Sequence, residues 1–475
     1  MTTWIEQFID NNEKQWKEMS DFIWDHPEVK YEEHTSAAYL VERLEEEGFR
    51  VQQNIAQIET AFVAEIGSGS PVIAFLGEYD ALPQLSQEAN VATQRPVEHG
   101  GNGHGCGHNL LGVGALAAAT ALKRYVEEHN IQGTVRFYGC PAEEGGSGKT
   151  YMARAGVFDD VDLALTWHPG PVNVAWTAST LANVQASFKF KGKSAHAAAS
   201  PHLGRSALDA VELMNVGANY LREHVSPQAR FHYAVTNTGG ASPNVVQAEA
   251  EVLYLIRAPH IAEAQHIYER IQKIAEGAAL MTETTVEVTF DKACSNFIPL
   301  SSINKVMYET MQEVGAPTFT EEEMKLAEQF YETFTMEEKM SKNFGMKQFD
   351  FAFQKPLSDV LIPYFELKQP LPGSTDVGDV SWVAPTGQCI MTTCATGTPF
   401  HSWQLVAQGK TSYAHKGMMQ VAKVLANVGL KAMQNDELLR EMKKEHQEAI
   451  GERGYICPIP AHIHPNGQKM NDGTN

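Results

Sequence analysis

The stretch Pro141–Thr150, "PAEEGGSGKT", sets two adjacent carboxylates, Glu143 and Glu144, just ahead of a Gly148-Lys149-Thr150 triplet. Two chemistries compete for this turn. A phosphate-binding loop, G-x-x-x-x-G-K-[ST], needs a glycine five positions before Gly148, and the chain has Glu143 there. Carboxylates at that place would repel a polyphosphate. A dinucleotide fingerprint fails as well: Gly101, Gly103, Gly105 and Gly107 alternate strictly, while Gly112-x-Gly114-x-x-Ala117 lies inside an apolar helical run. These glycines are expected to let backbone pass close to another element. Metal chemistry is the alternative. "GHGCGHN" places His104, Cys106 and His108 at alternate positions, and "WHPG" adds His168. A thiolate, imidazoles and one carboxylate are ligand types that divalent transition metals accept. The second carboxylate of the pair is then free to act as the base that hydrolysis requires. Each motif alone is more often structural than ligating, so the weight rests on their convergence.

Convergence requires elements that carry these groups to one place. Helical spacing at Thr35–Glu47 is followed by strand-like runs at Phe49–Ile55, Ala61–Ile66 and Pro71–Gly77, the last ending in "GEYDALP" with Glu78 and Asp80. A helix from about Asn109 to Glu128 follows the Gly/His-rich loop, and Thr134–Gly139 and Asp162–Thr166 are further strand candidates. Strands alternating with helices predict an α/β fold, a mostly parallel sheet covered by helices. Functional groups gather beyond the carboxyl ends of such strands, where Asp80, Glu143, Glu144 and His168 are all expected.

The pattern changes after Leu181. Strand (Asn183–Lys191), helix (Gly204–His224), strand (Phe231–Asn237), strand (Val245–Arg257), helix (Ile261–Leu280) and strand (Thr285–Phe290) form a βαββαβ unit. Residues 182–294 are therefore expected to be an inserted domain, and residues 1–181 with 295–475 a discontinuous catalytic domain. The chain resumes with helical segments, a proline-punctuated stretch at Pro356–Pro372, a strand at Gln388–Thr393 and a helix from about Thr411 to Gln434. The tail "YICPIPAHIHPNGQ" has no periodicity and is expected at the surface.

Composition narrows the class. With 475 residues and a net charge of −21, the chain disfavours nucleic acid and anionic membrane as partners. The N-terminus has no basic start and apolar core of a signal peptide, and the apolar run Leu110–Leu122 is too short for a membrane span. Six scattered cysteines fit a reducing compartment, so a cytoplasmic protein is expected. Cys140, Cys294, Cys389 and Cys394 read as small buried hydrophobes. His202, His224, His232, His260, His266, His415 and His446 have no ligand partner at a useful spacing, and His462 and His464 are expected to be exposed.

In order along the chain, "GEYDALP", "GCGHN", "PAEEGG", "WHP", "SAHAAASP", "GSTDVGDVSW" and "GTPFHS" resemble the two-domain, two-metal peptidases that include aminoacylase, carboxypeptidase G and hippurate hydrolase. The motifs run from about residue 75 to 460. The resemblance implies a di-metal amidohydrolase with Cys106 shared between the metals and His108, Glu144, His168 and His401 completing the ligand set. It implies Glu143 as general base and makes Asp80 and His104 groups that fix ligand imidazoles. Cys106 replaces a bridging carboxylate of the wider family. A soft thiolate leans to zinc, while relatives of this subgroup are often manganese-dependent, so both metals stay open. In the inserted domain, His196 resembles a histidine that reaches across a homodimer to steady the oxyanion. Asn244 and Arg257 resemble the pair that holds the substrate's carbonyl and carboxylate, and Ser374 and Thr375 of "GSTD" a loop lining the pocket. The implied substrate is a small N-acyl amino acid, above all an aroyl-glutamate such as p-aminobenzoyl-glutamate; other acyl amino acids and dipeptides are the alternatives. A subunit of a larger hydrolase that needs a second polypeptide is a further alternative.

Overall fold

The computed structural model describes residues 3–340 and 346–465. It divides into two compact units: Met1–Ala178, Ile298–Lys368 and Val380–Tyr455 form the first, and Ser179–Phe297, Gln369–Asp379 and Ile456–Asn475 the second.

The first unit opens with α1 (Trp4–Asn11), α2 (Glu13–Asp25) and α3 (His34–Glu46). It continues through β1 (Arg50–Gln53), β2 (Phe62–Ser68), β3 (Val72–Glu78), α4 (His108–His129), β4 (Gly133–Cys140), α5 (Gly148–Arg154), β5 (Leu163–Gly170) and β6 (Val174–Ala175). The second unit then contributes β7 (Ala182–Lys191), α6 (Ala207–Leu221), β8 (Arg230–Asn237), β9 (Glu249–Ala258), α7 (Ile261–Thr282) and β10 (Thr285–Cys294). The rest of the chain adds α8 (Ser301–Val314), α9 (Glu321–Glu332), α10 (Met336–Met340), α11 (Val377–Val383), β11 (Thr386–Thr392), α12 (Trp403–Gln408), α13 (Ser412–Met433) and α14 (Asp436–Ile450).

The first unit is built on a sheet ordered β1-β2-β4-β3-β5-β11-β6. Its four central strands, β4, β3, β5 and β11, run parallel, and antiparallel pairing is confined to the margins. β3, "VIAFLGE", is buried along its whole length, as a strand covered on both faces must be. α4 and α13 share the core with it through residues such as Leu116, Leu122, Val421 and Leu425. Two glycines of α4 explain how closely the helix lies on the sheet. A Cβ on Gly112 would sit 2.5 Å from the Glu78 carbonyl oxygen, and one on Gly114 would sit 2.9 Å from the Trp167 ring. That close approach brings the first residue of α4, His108, to the ends of β3 and β5.

Several strand boundaries differ from the sequence expectation: β9 starts at Glu249 and not Val245, and β10 runs on past Phe290 to Cys294. β5 runs on to Gly170, so His168 lies within it, paired with Ile390, and not beyond its end. The extension follows from β11, which offers a parallel partner as far as Thr392. β1 stops at Gln53, because Asn54 turns left-handed (φ 57°) into a short 3-10 segment. No helix among the described residues is long and apolar enough to cross a membrane.

The second unit is an antiparallel sheet ordered β10-β7-β9-β8 with α6 and α7. Burial along β9 alternates strictly, the signature of a sheet with one covered face. Phe188, Phe190, Val252, Tyr254 and Ile256 point into its core with Val211 and Met214 of α6 and Ile267 and Ile271 of α7. β8 is an edge strand whose side chains are almost all exposed. Of the tail histidines, His462 is exposed and His464 half-buried.

Candidate metal centre

Four parallel strands deliver donors to the same end of the central sheet. β3 ends in Glu78, with Asp80 two residues on; β4 leads into Glu143 and Glu144; β5 carries His168; and the segment after β11 carries His401. Cys106 precedes α4, and His108 opens it after Gly107, whose φ of 79° turns the loop into the helix. His401 is itself left-handed (φ 57°), and its N–H donates to the Gly105 carbonyl at 2.8 Å. A strained backbone at a non-glycine residue persists only where surrounding contacts hold it.

The donor atoms form three overlapping groups, each with its atoms within 4.8 Å of one another: Cys106, His108 and His168; Cys106, Glu144 and His401; and Glu78, His108 and Glu143. Cys106 belongs to two groups and His108 to two. The Cys106 Sγ lies 3.3 Å from His168 Nε2, and His401 Nε2 lies 3.3 Å from Glu144 Oε2. Hydrogen bonds on the far side of each ring set the tautomers. His168 Nδ1 is 2.7 Å from the Pro169 carbonyl oxygen and His108 Nδ1 is 2.8 Å from Asp80 Oδ1, which leaves both Nε2 atoms free of these bonds and available to the cluster. His108 Nε2 is buried and makes no hydrogen bond among the described residues, with Glu78 Oε2 3.2 Å away. Such a set fits divalent ions that accept imidazole, thiolate and carboxylate together.

Electrostatics point the same way. Burial, and then the Glu78 carboxylate, raise the Glu143 carboxyl above its usual range. Glu144 is pushed up to about 8 by burial and by the carboxylates of Glu143, Asp80 and Glu78, against the charge of His108. Burial and the Glu144 carboxylate raise the Cys106 thiol, and burial and the charge of His108 bring His168 down to about 4. This crowd of acidic groups is costly to bury without cationic partners.

Asp80 does two things at once. Oδ1 meets His108, and Oδ2 accepts the Glu144 backbone N–H at 2.9 Å. Burial opposes its charge, yet the charge and hydrogen bond of His108 outweigh it and lower the Asp80 carboxyl below its ordinary value. Asp80→Asn is therefore expected to weaken metal affinity about 10- to 100-fold, read by titration against a chelator. Unchanged affinity would show that Asp80 orients no ligand. His104 is also fully buried, but its Nε2 meets the Ile23 carbonyl oxygen of α2 at 3.0 Å, so its hydrogen bond goes to backbone and not to a ligand ring.

Glu78, in the cluster, and Lys149, beside it, have no site role in the sequence expectation. Glu78 pairs through Oε1 with Lys149 Nζ at 2.8 Å, and both side chains are buried. The "GKT" that imitates a phosphate loop thus supplies a buried cation. The available signal was a charged residue ending a wholly apolar strand, which demands a partner.

His196, Asn244, Arg257, Ser374 and Thr375 belong to the second unit. His196 and Asn244 are neighbours there: the Ala197 N–H donates to the Asn244 carbonyl at 3.0 Å, and His196 bridges Val245. The His196 ring is exposed, and its Nδ1 accepts N–H groups from Ala198 and Ala199, so Nε2 carries the proton and presents a donor outward. Arg257 Nη1 donates to Ser374 Oγ at 2.8 Å, joining the end of β9 to the "GSTD" turn. Thr375 Oγ1 accepts the Val377 N–H at 3.2 Å, bracing that turn locally.

The profile of peptidase family M20/M25/M40 matches residues 74–362, more than half of the chain. The chain belongs to this family. It is 51% identical over 474 residues to a p-aminobenzoyl-glutamate hydrolase subunit of Escherichia coli strain K12, covering 98% of each chain. It is 32% identical over 318 residues to the Xaa-Arg dipeptidase of Mus musculus, covering 64% of this chain and 69% of that one. Among solved structures, a dinuclear metal-binding M20 peptidase from Bacillus subtilis shares the fold with a TM-score of 0.57 at 17% identity, covering 90% of this chain and 99% of the other. Membership of M20/M25/M40 makes the chain a hydrolase of amide bonds, with a cluster of donors suited to metal at the carboxyl end of its sheet.

Proposed function

We propose that this chain is a di-metal amidohydrolase that releases glutamate from an aroyl-glutamate such as p-aminobenzoyl-glutamate. The observation that carries the reading is the sharing of Cys106 between two ligand groups, one with His108 and His168 and one with Glu144 and His401. Two adjacent ions, zinc or manganese, would fit those groups, and the Bacillus subtilis peptidase is described as dinuclear. When bound, the ions supply Lewis-acid activation of water and of the scissile carbonyl. Glu143 takes the proton of the attacking water and delivers it to the departing amine. Substrate choice is supported by the Escherichia coli hydrolase, alike over nearly the whole chain.

In the second unit, Arg257 is assigned the substrate carboxylate, the Ser374–Thr375 turn the pocket wall, Asn244 the carbonyl, and His196 the oxyanion of the site in a second copy. A homodimer through this unit is supported by its bare surfaces. Leu213, Val216 and Tyr220 are exposed on α6, and Tyr233 and Val235 on the edge strand β8. The reading places the enzyme in the cytoplasm, in line with its scattered free cysteines. A second reading, a hydrolase component requiring another polypeptide, draws on the word "subunit" in the name of the Escherichia coli relative.

The test is release of glutamate by the purified, metal-loaded chain alone, set against acyl-glycines and dipeptides, with Arg257→Ala in the same assay. A charge-assisted bond of about 1.5–3 kcal/mol predicts a rise in KM of roughly ten- to a hundredfold for the variant, with kcat little changed. A substrate with its carboxylate amidated should suffer the same loss with the wild type and little more with the variant. Equal penalties on both substrates would make Arg257 structural. Faster turnover of dipeptides than of acyl-glutamates would overturn the substrate class, and activity only with an added polypeptide would favour the second reading.

A further inference from the structure

The carboxylates Glu143 and Glu144 sit on a turn that is costly to form. Ala142 before them and Ser147 after them are both left-handed, with φ of 61° and 57°, a region disfavoured for residues with a side chain. Inside the turn, the Gly146 N–H donates to the Ala142 carbonyl at 2.8 Å. The remaining ties come from far away in sequence. Glu33 Oε1 accepts the Ala142 N–H at 2.8 Å, while its Oε2 accepts from Thr60 Oγ1 at 3.0 Å. Lys30 Nζ donates to the Gly145 carbonyl at 2.8 Å, and the Tyr31 hydroxyl donates to that of Gly146 at 2.6 Å. Tyr31 is itself left-handed (φ 65°), and its ring packs so closely that a Cβ on Gly146 would lie 2.6 Å from it.

The same short segment reaches two other donor-bearing loops. Val29 bridges Ala81, and the Ala81 N–H donates to the Glu28 carbonyl at 2.8 Å, one residue beyond Asp80. Asn102 Nδ2 donates to the Pro27 carbonyl at 3.0 Å, in the loop leading to Cys106. The short run 27–33 between α2 and α3 thus touches the turn of Glu143 and Glu144, the loop leading to Cys106, and the residue that follows Asp80.

We propose that Pro27–Glu33 is a positioning segment for the metal and base loops, and that Lys30, Tyr31 and Glu33 hold the Ala142–Gly146 turn in its left-handed form. Each of the three acts through the turn and not on the clustered donor atoms. The hydrogen bonds at both ends of Glu143-Glu144 limit how far either carboxylate can swing. Without them the turn can relax toward an unstrained backbone, and the two carboxylates lose their separate stations. The consequence for turnover rests on the reading of Glu143 as base; the consequence for the turn itself does not.

The experiment uses the full chain with Lys30→Met/Tyr31→Phe, whose side chains are partly exposed and whose loss spares the core, and with Glu33→Ala and Glu33→Gln. Amide hydrogen exchange is followed on a peptide covering the turn and on one from α4. Both Lys30→Met/Tyr31→Phe and Glu33→Ala are expected to speed exchange in the turn about tenfold or more with α4 unaltered. In the metal-loaded enzyme, kcat is expected to fall at least tenfold while KM stays within about threefold, since a displaced base penalises the transition state and not substrate binding. Glu33→Gln, which keeps an acceptor for the Ala142 N–H, should recover most of the loss. Unchanged exchange in the turn for Lys30→Met/Tyr31→Phe overturns the proposal whatever the kinetics show. Faster exchange with full kcat leaves the clamp standing and refutes Glu143 as the base it serves.

Discussion

Glu143→Ala is expected to lose turnover by about a hundredfold to ten-thousandfold and to keep its metal, while Glu144→Ala is expected to lose metal as well as activity. The two side chains are adjacent in sequence, yet they face different neighbours. Glu144 joins Cys106 and His401, and its backbone N–H is held by Asp80. Glu143 faces His108 and Glu78, and the Lys149 Nζ is bonded to the far oxygen of Glu78. A carboxylate with a thiol and an imidazole is placed to ligate. One beside a carboxylate already balanced by a buried lysine is placed to exchange protons. Elemental analysis run alongside kinetics separates the roles. Equal metal loss in both variants would make Glu143 a ligand, as its own grouping with His108 would then require.

Mixing inactive Glu143→Ala chains with inactive His196→Ala chains is expected to restore activity once subunits exchange. His196 presents its Nε2 proton outward because Nδ1 is occupied by the N–H groups of Ala198 and Ala199. Next to it stands Asn244, the other residue assigned to the substrate carbonyl. An imidazole donor aimed at a developing oxyanion is worth roughly 2.7–4 kcal/mol, so His196→Ala alone should fall about a hundredfold to a thousandfold with metal retained. A two-fold dimer built on the exposed face of α6 and the free edge of β8 would carry His196 to the other copy. In each mixed dimer, one site then combines an intact Glu143 with an intact His196. At equal mixing about a quarter of the wild-type sites should return, because half the dimers are mixed and each has one whole site. Activity that stays at background after exchange has been verified would place His196 in the site of its own chain.

Much of this was legible without coordinates. The alternation of apolar strands with helices dictates a sheet that is mostly parallel at its centre, and parallel strands release their loops at one end. Residue type then offered Cys106, His108, His168 and one of Glu143 and Glu144 as groups a divalent metal accepts, while His401 and the choice of Glu144 came only with the resemblance of the motifs. The glycines are expected to let backbone pass close to something else, which is the Glu78 carbonyl at Gly112 and the Trp167 ring at Gly114. Less visible was the reach of β5, because its last residues extend only where β11 lies alongside to pair with them.

The sequence by itself determined which chemical groups are available and at which end of the sheet they emerge, because strand periodicity and residue chemistry are local properties. Only the tertiary structure decided which oxygen meets which nitrogen. Glu78 and Lys149 are far apart in the chain and become an ion pair because both side chains are buried, where a charge needs an opposite one close by. Lys30, Tyr31 and Glu33 carry no motif, and their contact with Ala142–Gly146 exists only through packing across 109 to 115 residues of chain. Such pairings depend on where whole elements stack, and no local pattern encodes that.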